Sequence, residues 1–182
     1  MQNNYLKITI GPMFSGKTTS LIRHYKEAIN NSKNCIILNS GKDNRYDNYK
    51  ITTHNKDEYI SCIKSNSIED FLQFYKLEIE NADVILIDEA QFFEDIILIL
   101  SIIKNKYIGI FGLDGDSNQN IFGNIYKLIP YCDEIIKLNG ICYSCKKENS
   151  SIFSIRIDNS IKKQILIGDN KNYFSVCRNC HN

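Results

Sequence analysis

The sequence predicts an α/β fold, a parallel sheet flanked by helices with a small metal-bound lobe at the C-terminal end. Three observations predict it. Short apolar runs alternate with segments of helical period as far as residue 111, and the stretch GPMFSGKT at residues 11–18 joins the first run to the first helical segment. From Cys142 onward the alternation stops and two C-x-x-C pairs appear.

Residues 5–10 alternate and then turn apolar, which fits a first buried strand. In residues 18–30 the apolar positions Leu21, Ile22, Tyr25 and Ala28 fall three or four apart, so a helix opens from the glycine turn. A short strand follows at residues 35–38. Residues 40–59 are polar, Asn-rich and charged, and a loop of that length in a compact domain has a function or is disordered. Residues 68–79 carry Ile68, Phe71, Leu72, Tyr75 and Ile79 at helical spacing. Residues 84–87 are fully apolar, as in a strand covered on both faces. Residues 96–103 read as a buried helix and 107–111 as another strand. Strands alternating with helices imply parallel pairing through right-handed crossovers. The expected division is residues 1–140 as the α/β domain and 141–182 as the metal-bound lobe.

At 182 residues the chain suffices for one full core and a small appendage. The 22 basic and 21 acidic side chains nearly cancel, which disfavours a nucleic acid polymer as partner. No segment approaches the roughly 18 to 20 apolar residues of a membrane span, and the N-terminal stretch carries no export pattern, so no membrane partner is expected. Seven cysteines is an odd number, and Cys35, Cys62 and Cys132 are scattered. That points to a reducing compartment, and a cytoplasmic location is expected.

The stretch Gly11, Pro12, Met13, Phe14, Ser15, Gly16, Lys17, Thr18 fits G-x-x-x-x-G-K-[ST] between a strand and a helix, the context of a P-loop NTPase-like sheet. Gly11 and Gly16 let the backbone curl so that its N–H groups face phosphate oxygens at a helix N-terminus. Lys17 can reach the β and γ phosphates of ATP, and Thr18 can ligate Mg²⁺. Asp88 and Glu89 end an apolar strand, where open α/β sheets bind ligands. Asp88 is placed to hold Mg²⁺ and Glu89 to accept a proton. An ATPase would use Glu89 to orient water and a kinase to deprotonate an alcohol, and the motifs alone leave both open.

Cys142, Cys145, Cys177 and Cys180 form two C-x-x-C knuckles with residues 146–176 between them. In a reducing compartment this is the spacing of a structural Cys₄ Zn²⁺ site, whose four thiolates leave no position for water. His181 adjoins Cys180 and could replace one ligand, although an exposed neighbour is the expectation. A segment held at both ends becomes a lasso that could close over a ligand.

GPMFSGKTT, KDNRYD, IDEAQFF, FGLDGD, CYSC and YFSVCRNC, in this order from Ile8 to His181, resemble the thymidine kinases of the second type, the cellular and poxvirus-like class. The resemblance implies transfer of the ATP γ-phosphate to the 5′-hydroxyl of thymidine, with deoxyuridine as a further substrate, in a homotetramer with structural zinc. It assigns Glu89 as general base, Lys17 and Thr18 to phosphate and Mg²⁺, Asp88 to the Mg²⁺ shell and Arg45 to phosphate charge. It also assigns the nucleoside to Met13, Leu113, Phe122 and Tyr173, and to the lasso residues Leu166, Ile167 and Gly168. The chain departs from the family where LDG-T-F-Q-R-K-P-F becomes LDGDSNQNIF, so that Ser117 stands for an aromatic. It departs again where a Gly-Gly pair becomes Gly168-Asp169. Two other classes are a P-loop ATPase with a zinc ribbon acting on nucleic acid and a nucleotide-binding regulator without turnover.

Overall fold

The computed structural model describes residues 1–42, 50–52, 59–158, 164 and 172–181. Its centre is a six-stranded parallel sheet flanked by helices. The strands are β1 (Tyr5–Ile10), β2 (Cys35–Ser40), β5 (Ile63–Ser65), β6 (Val84–Asp88), β7 (Tyr107–Gly112) and β8 (Glu134–Lys137), in the spatial order β5-β2-β6-β7-β1-β8. Two antiparallel hairpins stand apart from it. One pairs β3 (Lys50–Thr52) with β4 (Tyr59–Ser61), the other β9 (Phe153–Arg156) with β10 (Tyr173–Val176).

The apolar run of β6 explains why the sheet is covered on both faces. Successive side chains of a strand point to opposite sides. Val84 and Leu86 pack with Leu21, Ile22 and Ala28 of helix α1 (Lys17–Asn30). Ile85 and Ile87 pack on the other side with Ile68 and Phe71 of helix α2 (Ile68–Phe74) and with Ile96 and Ile99. Each fully buried side chain of this kind contributes about 1.5–3 kcal/mol relative to exposure. The α2 N-terminus has its orphan donors satisfied twice over. Ser67 Oγ accepts from Asp70 N, and the Asp95 carboxylate accepts from Ile68 N and Glu69 N at 3.0 and 2.9 Å.

Most expected elements are present with shifted ends. The first helix begins one residue earlier, at Lys17, and β2 runs on to Ser40. The helix expected over 68–79 is two, α2 and α3 (Lys76–Asn81), because Tyr75 leaves helical geometry at φ −117° and ψ 35°. Ile96–Ile102 is helical but of the tighter 3₁₀ type, and Leu98 is exposed rather than buried. The expected loop over 40–59 contains β3 and the start of β4, and its residues 43–49 and 53–58 lie outside the described residues.

Register brings the site together. Ile8 of β1 and Ile87 of β6 both pair with Ile110 of β7. The C-terminal ends of these three strands are therefore level. The turn after Ile10, the Asp88-Glu89 pair and Leu113 leave the sheet side by side. None of the described helices is long and apolar enough to cross a membrane.

Candidate active site and metal centre

The turn after β1 is built as a cradle. Gly16, the N-cap of α1, has φ 85° in the left-handed region that favours glycine. Gly11 packs so closely that an added Cβ would strike the Leu138 carbonyl and sit 2.8 Å from Ser15 Oγ. Lys17 Nζ donates to the Pro12 carbonyl at 2.6 Å, which holds the ammonium across the loop it belongs to. The Ser15 hydroxyl is buried and has no hydrogen-bond partner among the described residues. A buried hydroxyl of this kind calls for a partner, and phosphate oxygens at a helix N-terminus would supply one. Met13 N donates to Ser154 Oγ of β9 at 2.9 Å, so the cradle is braced by the C-terminal hairpin.

Across from it, Asp88 is buried at the end of β6, and its Oδ2 lies 3.5 Å from Thr18 Oγ1. A carboxylate and a hydroxyl converging beside a phosphate cradle are the hard oxygen donors that suit Mg²⁺. Glu89 follows at φ 51°, a left-handed conformation uncommon for a residue with a side chain. Its amide donates to Asp88 Oδ1 at 3.0 Å, and its own Oε2 accepts from Gln91 Nε2 at 2.5 Å. Gln91 Oε1 in turn accepts from Leu113 N at 2.9 Å, which ties Glu89 to the segment leaving β7. Phe122 lies in the same region, buried and edge-on to Phe92 with ring centroids 5.7 Å apart and planes at 89°.

The four knuckle cysteines come together. Their sulfur atoms all lie within 4.8 Å of one another, with Cys145 and Cys177 at 3.8 Å. Four sulfurs at about 2.3 Å from a tetrahedral zinc would sit about 3.8 Å apart, so the cluster has the size to hold one metal ion. One of the donors, Cys142, is biased toward the thiolate that a metal needs. The backbone N–H of Cys145 brings the Cys142 thiol down to about 6, with the Cys177 N–H, 3.3 Å from the sulfur, adding to it. A hydrogen bond with the Cys177 thiol pushes Cys180 up to about 12, a proton that metal binding displaces. His181 stands outside the cluster. Its ring packs on Phe153 at 4.5 Å, half-buried rather than exposed. None of the seven cysteines is in a disulfide, and burial raises the Cys35 thiol to about 12, which keeps it protonated.

Tyr173 is buried in β10 directly opposite Arg156 of β9. Arg156 Nε and Nη2 donate to its hydroxyl at 3.3 and 3.1 Å, and Nη2 also donates to the Gln164 carbonyl at 3.1 Å. Gln164 Nε2 reaches Asp116 Oδ2 at 2.9 Å, which joins the C-terminal lobe to the turn after Leu113. Arg45, Leu166, Ile167, Gly168 and Asp169 lie outside the described residues.

The sequence reading gave no role to Gln91, Phe92, Ser154, Asp116 or Arg156. Gln91 and Phe92 had a signal in their place two and three residues past Glu89. The rest depend on pairings between distant segments, which no local pattern encodes.

A family model described as thymidine kinase matches residues 4–181. The thymidine kinase of Amsacta moorei entomopoxvirus is 39% identical, over 97% of this chain and 97% of that protein. That of Sheeppox virus (strain KS-1) is 38% identical over 100% and 98%, and that of Vaccinia virus (strain Western Reserve) 36% over 100% and 98%. A solved structure concerned with DNA unwinding at forked duplexes by Pif1 helicases superposes with a TM-score of 0.36 at 16% identity. It covers 75% of this chain and 39% of that one, a likeness too loose to carry an argument.

Proposed function

The chain belongs to the thymidine kinase family, and on that premise we propose that Glu89 is the general base of an ATP-dependent phosphorylation of the 5′-hydroxyl of thymidine. The observation that carries this reading is the convergence of Lys17, Thr18, Asp88 and Glu89 at the level ends of β1 and β6. Phosphoryl transfer asks a protein mainly for positioning and charge. The cradle N–H groups and Lys17 bind the phosphates of ATP. Thr18 and Asp88 are the groups that would hold Mg²⁺, which when bound neutralises charge building on the β and γ phosphates. Glu89 takes the proton of the 5′-hydroxyl as that oxygen attacks phosphorus and the bond to the β-phosphate bridging oxygen breaks.

Met13, Leu113, Phe122 and Tyr173 line the nucleoside pocket in this reading, joined by Phe92, whose ring stands against Phe122. Leu166, Ile167 and Gly168 would add main-chain contacts to the base and Arg45 a charge on phosphate. The Cys₄ cluster is a structural Zn²⁺ site fixing the C-terminal lobe, residues 141–182, against the α/β domain of residues 1–140. Four thiolates fill a tetrahedral shell and leave no position for water. Self-association, which a homotetramer requires, is supported by the exposed Tyr126, Ile129, Tyr131 and Ile135 on and beside edge strand β8. The reduced cysteines support a cytoplasmic location.

Glu89→Gln tests the reading. It keeps the size of the side chain and cannot take a proton, so kcat should fall about 10²- to 10⁴-fold while ATP still binds. Turnover close to that of the unmodified protein would remove Glu89 from the role.

A further inference from the structure

Gln91 is a polar side chain only 2% exposed, and both ends of its amide are committed. Oε1 accepts from Leu113 N at 2.9 Å, and Nε2 donates to Glu89 Oε2 at 2.5 Å. The backbone donor decides which way the amide lies. An N–H can face only the carbonyl end, so the NH₂ end is turned to the carboxylate. The surroundings are close on both the side chain and its backbone. A Cβ at position 112 would sit 2.8 Å from Gln91 Oε1, and one at position 123 would strike the Gln91 backbone carbonyl. Both positions are glycine.

Glu89 needs such a guide. It sits at φ 51° just past the end of β6, and its carboxylate hangs on a stem with several rotatable bonds. Leu113 leaves β7 at the same level of the sheet, on the segment that continues through Asp116 to Phe122. One amide therefore touches both the carboxylate and the strand end that carries the wall of the pocket.

We propose that Gln91 is a positioning residue for phosphoryl transfer, holding the Glu89 carboxylate in register with Leu113 so that base and bound hydroxyl are set from a single point. This rests on the reading of Glu89 as the general base. Gln91 has no proton to exchange and acts only through Glu89. A displacement of about 1 Å in a reacting group can cost 10²-fold in rate, and loss of the clamp frees movement on that scale.

The test is a double-mutant cycle on the full chain, with kcat and KM measured for ATP and thymidine in the unmodified protein, Glu89→Gln, Gln91→Met and the double variant. Gln91→Met keeps the length of the side chain and removes its hydrogen bonds. It should lower kcat about 10- to 100-fold and leave the KM for ATP unchanged. The double variant should be no slower than Glu89→Gln alone, because there is then no carboxylate to hold. Unmodified kcat in Gln91→Met, or a double variant slowed by the product of the two single effects, overturns the proposal and makes Gln91 a prop of the local packing. Normal turnover in Glu89→Gln overturns the base reading, and the proposal falls with it for that separate reason. Should Gln91→Met not fold, Gln91→Asn carries the test. It keeps the amide and shortens its reach by one methylene, so it cannot span Glu89 and Leu113 together. It should lower kcat about 10- to 100-fold with the KM for ATP unchanged, and an unmodified kcat overturns the proposal.

Discussion

Replacing Arg156 by Met tests whether the C-terminal lobe serves the nucleoside and not the ATP. Arg156 is buried, and it presents two nitrogens to the Tyr173 hydroxyl at 3.3 and 3.1 Å and one to the Gln164 carbonyl at 3.1 Å. Its guanidinium also lies 5.5 Å from the centre of the Tyr173 ring. Methionine retains most of the stem and none of the donors, so the Tyr173 hydroxyl loses both nitrogens, which share its one oxygen and count together as a single charge-assisted hydrogen bond. A hydrogen bond to a charged group contributes about 1.5–3 kcal/mol net, and 1.36 kcal/mol is tenfold. If that loss is felt wholly in the placement of Tyr173, thymidine binding weakens by about 10- to 150-fold. Arg156→Lys, with the charge but a single donor centre, should fall between. The assay is steady-state kinetics with each substrate varied in turn. The expected result is a raised KM for thymidine beside an unchanged KM for ATP. An unchanged KM for thymidine, or equal rises for both substrates, would show that Tyr173 does not line the nucleoside pocket.

Two further outcomes are expected. Elemental analysis should find one equivalent of zinc in the unmodified protein and none in Cys145→Ser. The thermal midpoint of that variant should drop by more than the ~1 kcal/mol of an ordinary substitution implies, because metal binding at a structural site is folding energy. Ser117→Phe should lower the KM for thymidine about 5- to 150-fold with little change in kcat, since stacking on a base is worth about 1–3 kcal/mol in ground and transition state alike. An unchanged KM and an unchanged range of nucleosides would mean that Ser117, which is half-buried, faces away from the base.

The parts of this protein that were legible in its sequence are those in which function or burial repeats locally. The cradle, the strand ending at Asp88, the helix after Gly16 and the cysteine knuckles each carry their spacing within a few residues. Strand β8 did not show itself, because its four residues are alternately half-buried and exposed and its identity comes from pairing with β1 and from the Lys7–Glu134 ion pair at 3.0 Å. The break at Tyr75 was hidden because that ring still packs on Phe71, 6.0 Å away, as a continuous helix would have it. Ile96–Ile102 satisfies an apolar count equally well as an α or a 3₁₀ helix, and only its hydrogen bonds separate the two. The Gln91 clamp joins positions 22 residues apart through a side chain that, by composition, reads as a surface residue. The Arg156–Tyr173 contact needs the β9–β10 hairpin, whose strands are set by a register no local pattern encodes.

The most direct test is to incubate the purified protein with Mg²⁺ and ATP labelled at the γ-phosphate, alone and with thymidine, deoxyuridine, deoxycytidine, deoxyadenosine or deoxyguanosine. The label should pass to thymidine 5′-monophosphate, and to the deoxyuridine product, and it should stay on ATP when no nucleoside is present. Labelled inorganic phosphate released without any labelled nucleotide, or released faster on adding a polynucleotide, would contradict the account.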